Sequence, residues 1–323
     1  MATIEHGKVV VSGDEWPFSD AGFQKAPSAR TFAQNVAAWF TGGKPGKFLI
    51  YSTNWGINQP AFQDALKQAG HTVTADINAT FTTEALLAYD GVIAGGNVAN
   101  NDVLLDYVKS GGCVYLFAGT AFGGSAAAEA ATWKTFLNAI GFKLEPEYDR
   151  LPGNYAPLTA DHPITRGVQE LYFYDTSPLV DIDPSPASQI VMKNSKGQGV
   201  LGWFDAGMLP RQIAITDIFY DGKVKRVEGD EFIEVSNLGF SHVDISDWLV
   251  HADDKGQDFR FPKGTILRSG QNFRLYTNEV HPETGGFSFG SKTAIWNNQG
   301  DTGHLSDAAG TPVSSKTYAP EKK

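Results

Sequence analysis

The chain holds few residue sets whose types and spacing suit chemistry. Its single cysteine, Cys113, precedes the apolar run Val114, Tyr115, Leu116 and Phe117, so it stands at the start of an expected strand. A reactive thiolate instead needs a cation or backbone N–H donors beside it, as at a turn that follows a strand and opens a helix. That turn holds Gly119, Thr120 and Ala121, and Thr120 is a nucleophile only with a base beside it. Cys113 therefore reads as a small buried apolar residue. His162 precedes Pro163 and reads as a turn histidine. His71, His242, His251, His281 and His304 lack metal-ligand spacing such as H-x-x-x-H. No catalytic residue, metal or cofactor is expected.

Weaker candidates lie in loops. Residues 119–125 follow a strand and open a helix, so their N–H groups could cradle an anion, although the Lys of a phosphate-binding loop is missing. Asp14 and Glu15 with Asp20, and Asp253 and Asp254 with Asp258, offer oxygen ligands without the Gly and Glu positions of a calcium loop. Asp14, Trp16, Asn54, Trp55, Asn97, Thr120 and Phe122 all follow expected strands. Tryptophans beside Asn and Asp would suit stacking on a small carbohydrate, or packing on a neighbouring subunit.

The elements that must position them are legible. Residues 8–12, 47–52, 71–74, 91–94 and 113–118 are short apolar runs, and the segments between them have helical spacing. Ser28 can cap a helix carrying Phe32, Val36, Trp39 and Phe40, and Pro60 opens another that stops at Gly70. The alternation predicts βα units around a mainly parallel sheet with helices on both faces, and the ligand cleft of such a sheet lies at the carboxyl ends of its strands. A less periodic stretch, 145–186, precedes an expected hairpin of 189–192 and 199–203 turned through Asn194 and Gly197. From about residue 211 the pattern becomes short alternating strands closed by Pro, Gly and Asn turns, an all-β sandwich. Gly264, Gly270 and Gly300 read as turn residues. The expected domains are 1–210 and 211–323.

Composition sets the outer limits. With 323 residues, 41% of them hydrophobic, the chain can build two domains with cores of their own. Its net charge of −10 repels phosphate backbones, so nucleic acid is a poor partner. One cysteine excludes an intramolecular disulfide and fits a reducing compartment. No segment has the ~20 apolar residues needed to span a bilayer. The expected location is cytoplasmic, or extracellular for an exported form whose signal has been removed.

Several strings also carry family resemblances. Ile213, Ala214 and Ile215 before Tyr220, Asp221 and Gly222, then Glu231, Phe232, Ile233, Glu234 and Val235 running into Asn237, with Trp248, Phe261, Trp296 and Tyr318 in order, resemble the lamin-tail domain over roughly 212–319. That resemblance implies an immunoglobulin-like binding and assembly module. Residues 47–52, 89–96 and 105–112, and Asp161, His162, Pro163, Ile164, Thr165, Arg166 and Gly167, make 8–205 look like the class I glutamine amidotransferase-like superfamily. Its flavodoxin-like fold is implied, without the cysteine that its active members carry on the turn after residues 113–118 and without the Glu two residues after His162 that would complete their Cys–His–Glu set. Together these predict a non-enzymatic scaffold that self-associates, as a homo-oligomer or filament. The alternative is a carbohydrate-related binding protein or hydrolase that uses the strand-end cleft.

Overall fold

The computed structural model describes residues 6–96 and 100–319. It divides into two compact units, Met1–Leu209 and Pro210–Lys323.

In the first unit the strands of the main sheet are β1 (Lys8–Ser12), β2 (Lys47–Tyr51), β3 (Thr72–Ala75), β4 (Gly91–Gly95), β5 (Cys113–Phe117), β6 (Phe142–Leu144), β7 (Leu179–Asp181), β8 (Ser188–Lys193) and β9 (Gly199–Asp205). The helices that position the site are α1 (Asp20–Lys25), α2 (Ser28–Thr41), α3 (Pro60–Gln68), α4 (Asn101–Lys109) and α5 (Ala126–Ala139). One nine-stranded sheet runs β3-β2-β4-β5-β1-β9-β7-β6, with β8 beside β9. Pairings from β3 to β1 are parallel. Those of β1 with β9, β9 with β7 and β8, and β7 with β6 are antiparallel.

The expected mainly parallel sheet is therefore a mixed one. The turn at Asn194, closed by Asn194 N–H donating to the Gln198 carbonyl at 2.8 Å, makes β8 and β9 a hairpin. A hairpin permits only antiparallel pairing, and β9 then lies along the free side of β1. The first strand is thus internal, with Val10 between Tyr115 and Trp203.

Strand side chains alternate between two buried layers. Val10, Phe48, Ile50, Ile93 and Tyr115 share a core with Phe32 and Val36 of α2 and Phe62 and Leu66 of α3. Val9, Val11, Leu49, Val92 and Leu116 point the other way and are wholly buried. On that face α4 packs on β5, and α5 packs on α4 and β6. Ser28 is the first residue of α2 rather than its cap. Pro27 stands at the cap position, and the Ser28 hydroxyl donates to the Glu170 carbonyl at 2.5 Å. A long-range acceptor has replaced the local bond expected from sequence.

The second unit is a double sheet. Its strands are β10 (Ile213–Phe219), β11 (Phe232–Asn237), β12 (Leu249–His251), β13 (Asp258–Arg260), β14 (Asn272–Tyr276), β15 (Phe287–Ser288), β16 (Asp301–Ser306) and β17 (Pro312–Tyr318). One sheet runs β10-β11-β14-β15 and the other β13-β12-β16-β17. Ile213, Ile215, Ile233, Val235 and Leu275 meet Val250, Leu305, Trp248, Phe261 and Trp296 in a single core. Gly264, Gly270 and Gly300 have φ of +80°, +75° and +112°, a region in which a side chain would be strained.

Candidate functional site

The parallel strands β3, β2, β4, β5 and β1 end on one side of the first unit, and ligand sites of open α/β sheets form outside the carboxyl ends of such strands. After β1 the chain turns tightly, with the Ser12 hydroxyl donating to the Asp14 carbonyl at 2.6 Å. The Asp14 carboxylate, 0% exposed, accepts the Trp16 N–H at 3.1 Å and the Tyr174 N–H at 2.5 Å. Both of its oxygens are occupied, so Asp14 pins the loop. Burial, and then the charge of Glu15, hold its carboxyl well above the usual carboxylate range.

Glu15 is different. It is 6% exposed, and its Oε2 is sealed from solvent with no hydrogen-bond partner among the described residues. Burial pushes its carboxyl up to about 7 and the nearby Glu129 charge adds to the rise, while hydrogen bonds with Asp14 and Asn54 oppose it. Glu129, on the first turn of α5, is also 0% exposed. Its carboxylate accepts the Thr120 N–H at 3.1 Å, the Thr120 hydroxyl at 2.5 Å and the Tyr148 hydroxyl at 3.3 Å. Burial raises its carboxyl as well.

The expected anion cradle over 119–125 is thus filled by the chain's own carboxylate. Gly119, at φ +74°, allows this because a Cβ there would lie 2.7 Å from the Gly13 carbonyl oxygen and 2.8 Å from that of Asp175. Ala121 follows at φ +58°. The Ser125 hydroxyl caps α5 by accepting the Ala128 N–H at 3.1 Å, and the first turn then aims Glu129 back at the loop. Cys113 lies at the opposite end of β5, 3% exposed, with Sγ 3.9 Å from the Phe40 carbonyl oxygen.

An aromatic cluster flanks the carboxylates. Trp16 meets Trp55 edge-on at 5.1 Å and lies 5.7 Å from Tyr172 and 5.2 Å from Tyr174, centroid to centroid. Trp55 is 50% exposed and Tyr148 37%. The Arg150 guanidinium sits 4.2 Å from the Tyr174 ring centre, and Lys25 Nζ 5.0 Å from that of Tyr172.

Asp14, Trp16, Asn54, Trp55 and Thr120 are therefore drawn around Glu15. Asn54 Oδ1 accepts the Gly56 N–H at 2.9 Å, and a Cβ on Gly56 would lie 3.6 Å from Glu15 Cγ. Phe122 is half-buried and joins the loop through its N–H, which donates to Thr120 Oγ1 at 3.3 Å. Asn97 lies outside the described residues. Asp20 is no part of the cluster, because its Oδ1 takes the Ala61 N–H at 2.8 Å. Sequence reasoning missed Glu129 altogether and left Glu15 out of the cleft. Glu15 had a signal in its place between Asp14 and Trp16, whereas Glu129 sits inside a helix with no local motif.

His162 stacks on Trp203 at 4.3 Å. Burial, then the Lys8 charge, lower it to about 4, so it is a neutral packing residue. Among the described residues no group of three or more His, Cys, Asp or Glu is arranged to hold a metal. No helix there is long and apolar enough to cross a membrane.

In the second unit one buried carboxylate organises the loops beside β11. Glu231, 0% exposed, accepts at Oε2 from the Thr277 hydroxyl at 3.1 Å, the Ile295 N–H at 3.1 Å and the Trp296 N–H at 3.4 Å. Its Oε1 has no donor among the described residues, and the Glu228 carboxyl is a side-chain neighbour. Burial, then Glu228, push the Glu231 carboxyl up to about 8. At the other end of the strand, Asn237 Nδ2 donates to the Ser241 and Leu267 carbonyls, each at 2.9 Å.

Residues 208–320 match the Lamin Tail Domain family model. In this lamin-tail unit Trp248, Phe261 and Trp296 are buried, and Tyr318 stacks on Tyr220 at 4.2 Å. A comparison with curated proteins gives no match. Among solved structures, a selenomethionine-labelled beta-glucosidase from Kluyveromyces marxianus is similar at 14% identity over 35% of this chain, with a TM-score of 0.18. The glucose complex of that enzyme is similar at 15% identity over 35% of the chain, with a TM-score of 0.17. The chain spans 14% of the length of each, and such scores carry no argument about fold or activity.

Proposed function

We propose that the chain is a non-enzymatic scaffold that self-associates, its lamin-tail unit engaging the α/β unit of a neighbouring copy. The observation that carries this reading is the lamin-tail match over 208–320, since the resemblance implies an assembly module. The first unit supports it. The parallel run β3-β2-β4-β5-β1, with helices on both faces, suits an amidotransferase-like, flavodoxin-like fold, and its post-strand turn carries Gly119, Thr120 and Ala121 where a nucleophilic cysteine would stand. A contact between unlike surfaces closes into a ring or grows into a filament, and two unlike units in tandem favour the filament. The proposed compartment is the cytoplasm, or the exterior for an exported form.

Assembly should strengthen with salt as the net charge of −10 is screened. Light scattering across salt and protein concentration, with micrographs at the extremes, tests this. A strict monomer under every condition would overturn the scaffold.

A second reading, a binding cleft at the strand ends for a small ligand such as a carbohydrate, is favoured by one arrangement. Glu15, whose Oε2 has no partner among the described residues, directly precedes Trp16, which meets half-exposed Trp55 edge-on. Saturable quenching of tryptophan fluorescence by a ligand would support it.

A further inference from the structure

Resting on the cleft-binding reading, we infer that the Glu15 site takes an organic primary ammonium ion. Three carboxylates, Asp14, Glu15 and Glu129, crowd the ends of β1 and β5, and none of them is in a salt bridge among the described residues. The cations closest to the aromatic cluster lie over its tyrosine rings and pair with none of the three carboxylates. Arg150 pairs with Asp175 at 2.9 Å, and Lys25 lies over Tyr172.

Asp14 and Glu129 spend their oxygens on N–H and hydroxyl donors. Glu15 Oε2 is left as a buried acceptor without a donor, an arrangement that costs free energy until a donor arrives. A hydroxyl could fill that vacancy, but it would not stabilise the ionised form of Glu15, which burial and the neighbouring Glu129 disfavour. An ammonium N–H fills it and offsets the charge. A bare metal ion needs several free oxygens, whereas one is free here. The aromatic faces complete the fit, because a cation within ~6 Å of a tryptophan ring is attracted to it. The neighbouring tyrosine rings already hold cations in this way. Since Oε2 is sealed, binding requires a local opening, and Trp55, half-exposed and held to Trp16 by an edge contact, is the side chain that would move. Glu15, which burial pushes to about 7, gives up its proton on binding, and Asp14, Glu129 and Tyr148 are the other titrating groups around it.

The test uses the full chain, tryptophan fluorescence and calorimetry, with n-butylammonium chloride, butan-1-ol as its uncharged counterpart, and trehalose. The expected result is saturable binding of butylammonium, none of butanol, and a loss of about tenfold or more in affinity with Glu15→Gln. Trp55→Ala should bind several-fold more weakly and lose much of the fluorescence change. Equal binding of butanol, or undiminished binding by a folded Glu15→Gln, overturns the assignment. Trehalose binding without butylammonium binding overturns the ammonium class and leaves the cleft reading standing. Binding of neither overturns both.

Discussion

Replacing Glu231 by Gln should leave the protein about as stable as the parent near pH 5 and make it more stable near pH 9. The buried carboxyl accepts three donors at Oε2 and has the Glu228 carboxyl as a side-chain neighbour. Its neutral form can donate to Glu228 and its ionised form can only repel it. The folded value of about 8 lies above the ordinary 4.5, so the folded state holds the proton more tightly than the unfolded chain. The stabilisation is complete below about 4.5, declines as pH rises towards 8 and is gone above it. At about 1.4 kcal/mol per pH unit the ceiling is ~5 kcal/mol, and residual solvation reduces this to about 2–3 kcal/mol. Gln reproduces the protonated form, with its carbonyl accepting at the Oε2 position and its amide donating to Glu228, so its stability should not carry this slope. Urea denaturation of both proteins at about one-unit steps from pH 5 to 9 measures the difference. Parallel curves, or a parent that gains on the variant as pH rises, would show that Glu231 is ionised in the folded protein.

Three further outcomes follow from the packing. Cys113→Ser should change stability by less than ~1 kcal/mol, and the native thiol should react slowly with a disulfide reagent, because Cys113 is buried at the start of β5; rapid labelling would contradict this. Trp296→Ala should cost about 3–5 kcal/mol in thermal or urea unfolding, since the indole is 1% exposed in the sandwich core. Glu129→Ala should cost ~2–4 kcal/mol by stranding the Thr120 N–H and hydroxyl, and restoring hydrogen-bond capacity with Gln should recover part of the loss in the same assay.

Much of this architecture is written locally. β1 and β5 are apolar runs bounded by turn residues, and the β8–β9 hairpin announces itself through Asn194 and Gly197. Such signals need only a window of a dozen residues. The mixed character of the sheet is not local, because nothing near residues 199–205 says that they will pair with residues 8–12. The site is split in the same way. Trp16 and Trp55 stand out by type, but Tyr148, Tyr172 and Tyr174 come from the aperiodic 145–186 stretch, which offers no pattern to read. Glu129 looks like an ordinary exposed helix residue until the Thr120 turn closes over it. Carboxylates without cations are visible only after distant segments converge.

The internal position of β1 has a consequence for how the chain matures. Residues 8–12 are bracketed by β5 and by β9, and the Asp14 turn is completed by the amide of Tyr174, 160 positions later. β1 therefore leaves a ribosome well before β9, its antiparallel partner, and is among the last of these strands to be fully paired. Pairings this remote form slowly, because the intervening chain must be ordered before they are rewarded. Until about residue 205 has been made, one side of an apolar strand, Val9, Val10 and Val11, has no partner. That interval is when off-pathway association threatens, and slowing translation just after residue 205 should raise the soluble yield, whereas a pause before residue 199 should lower it.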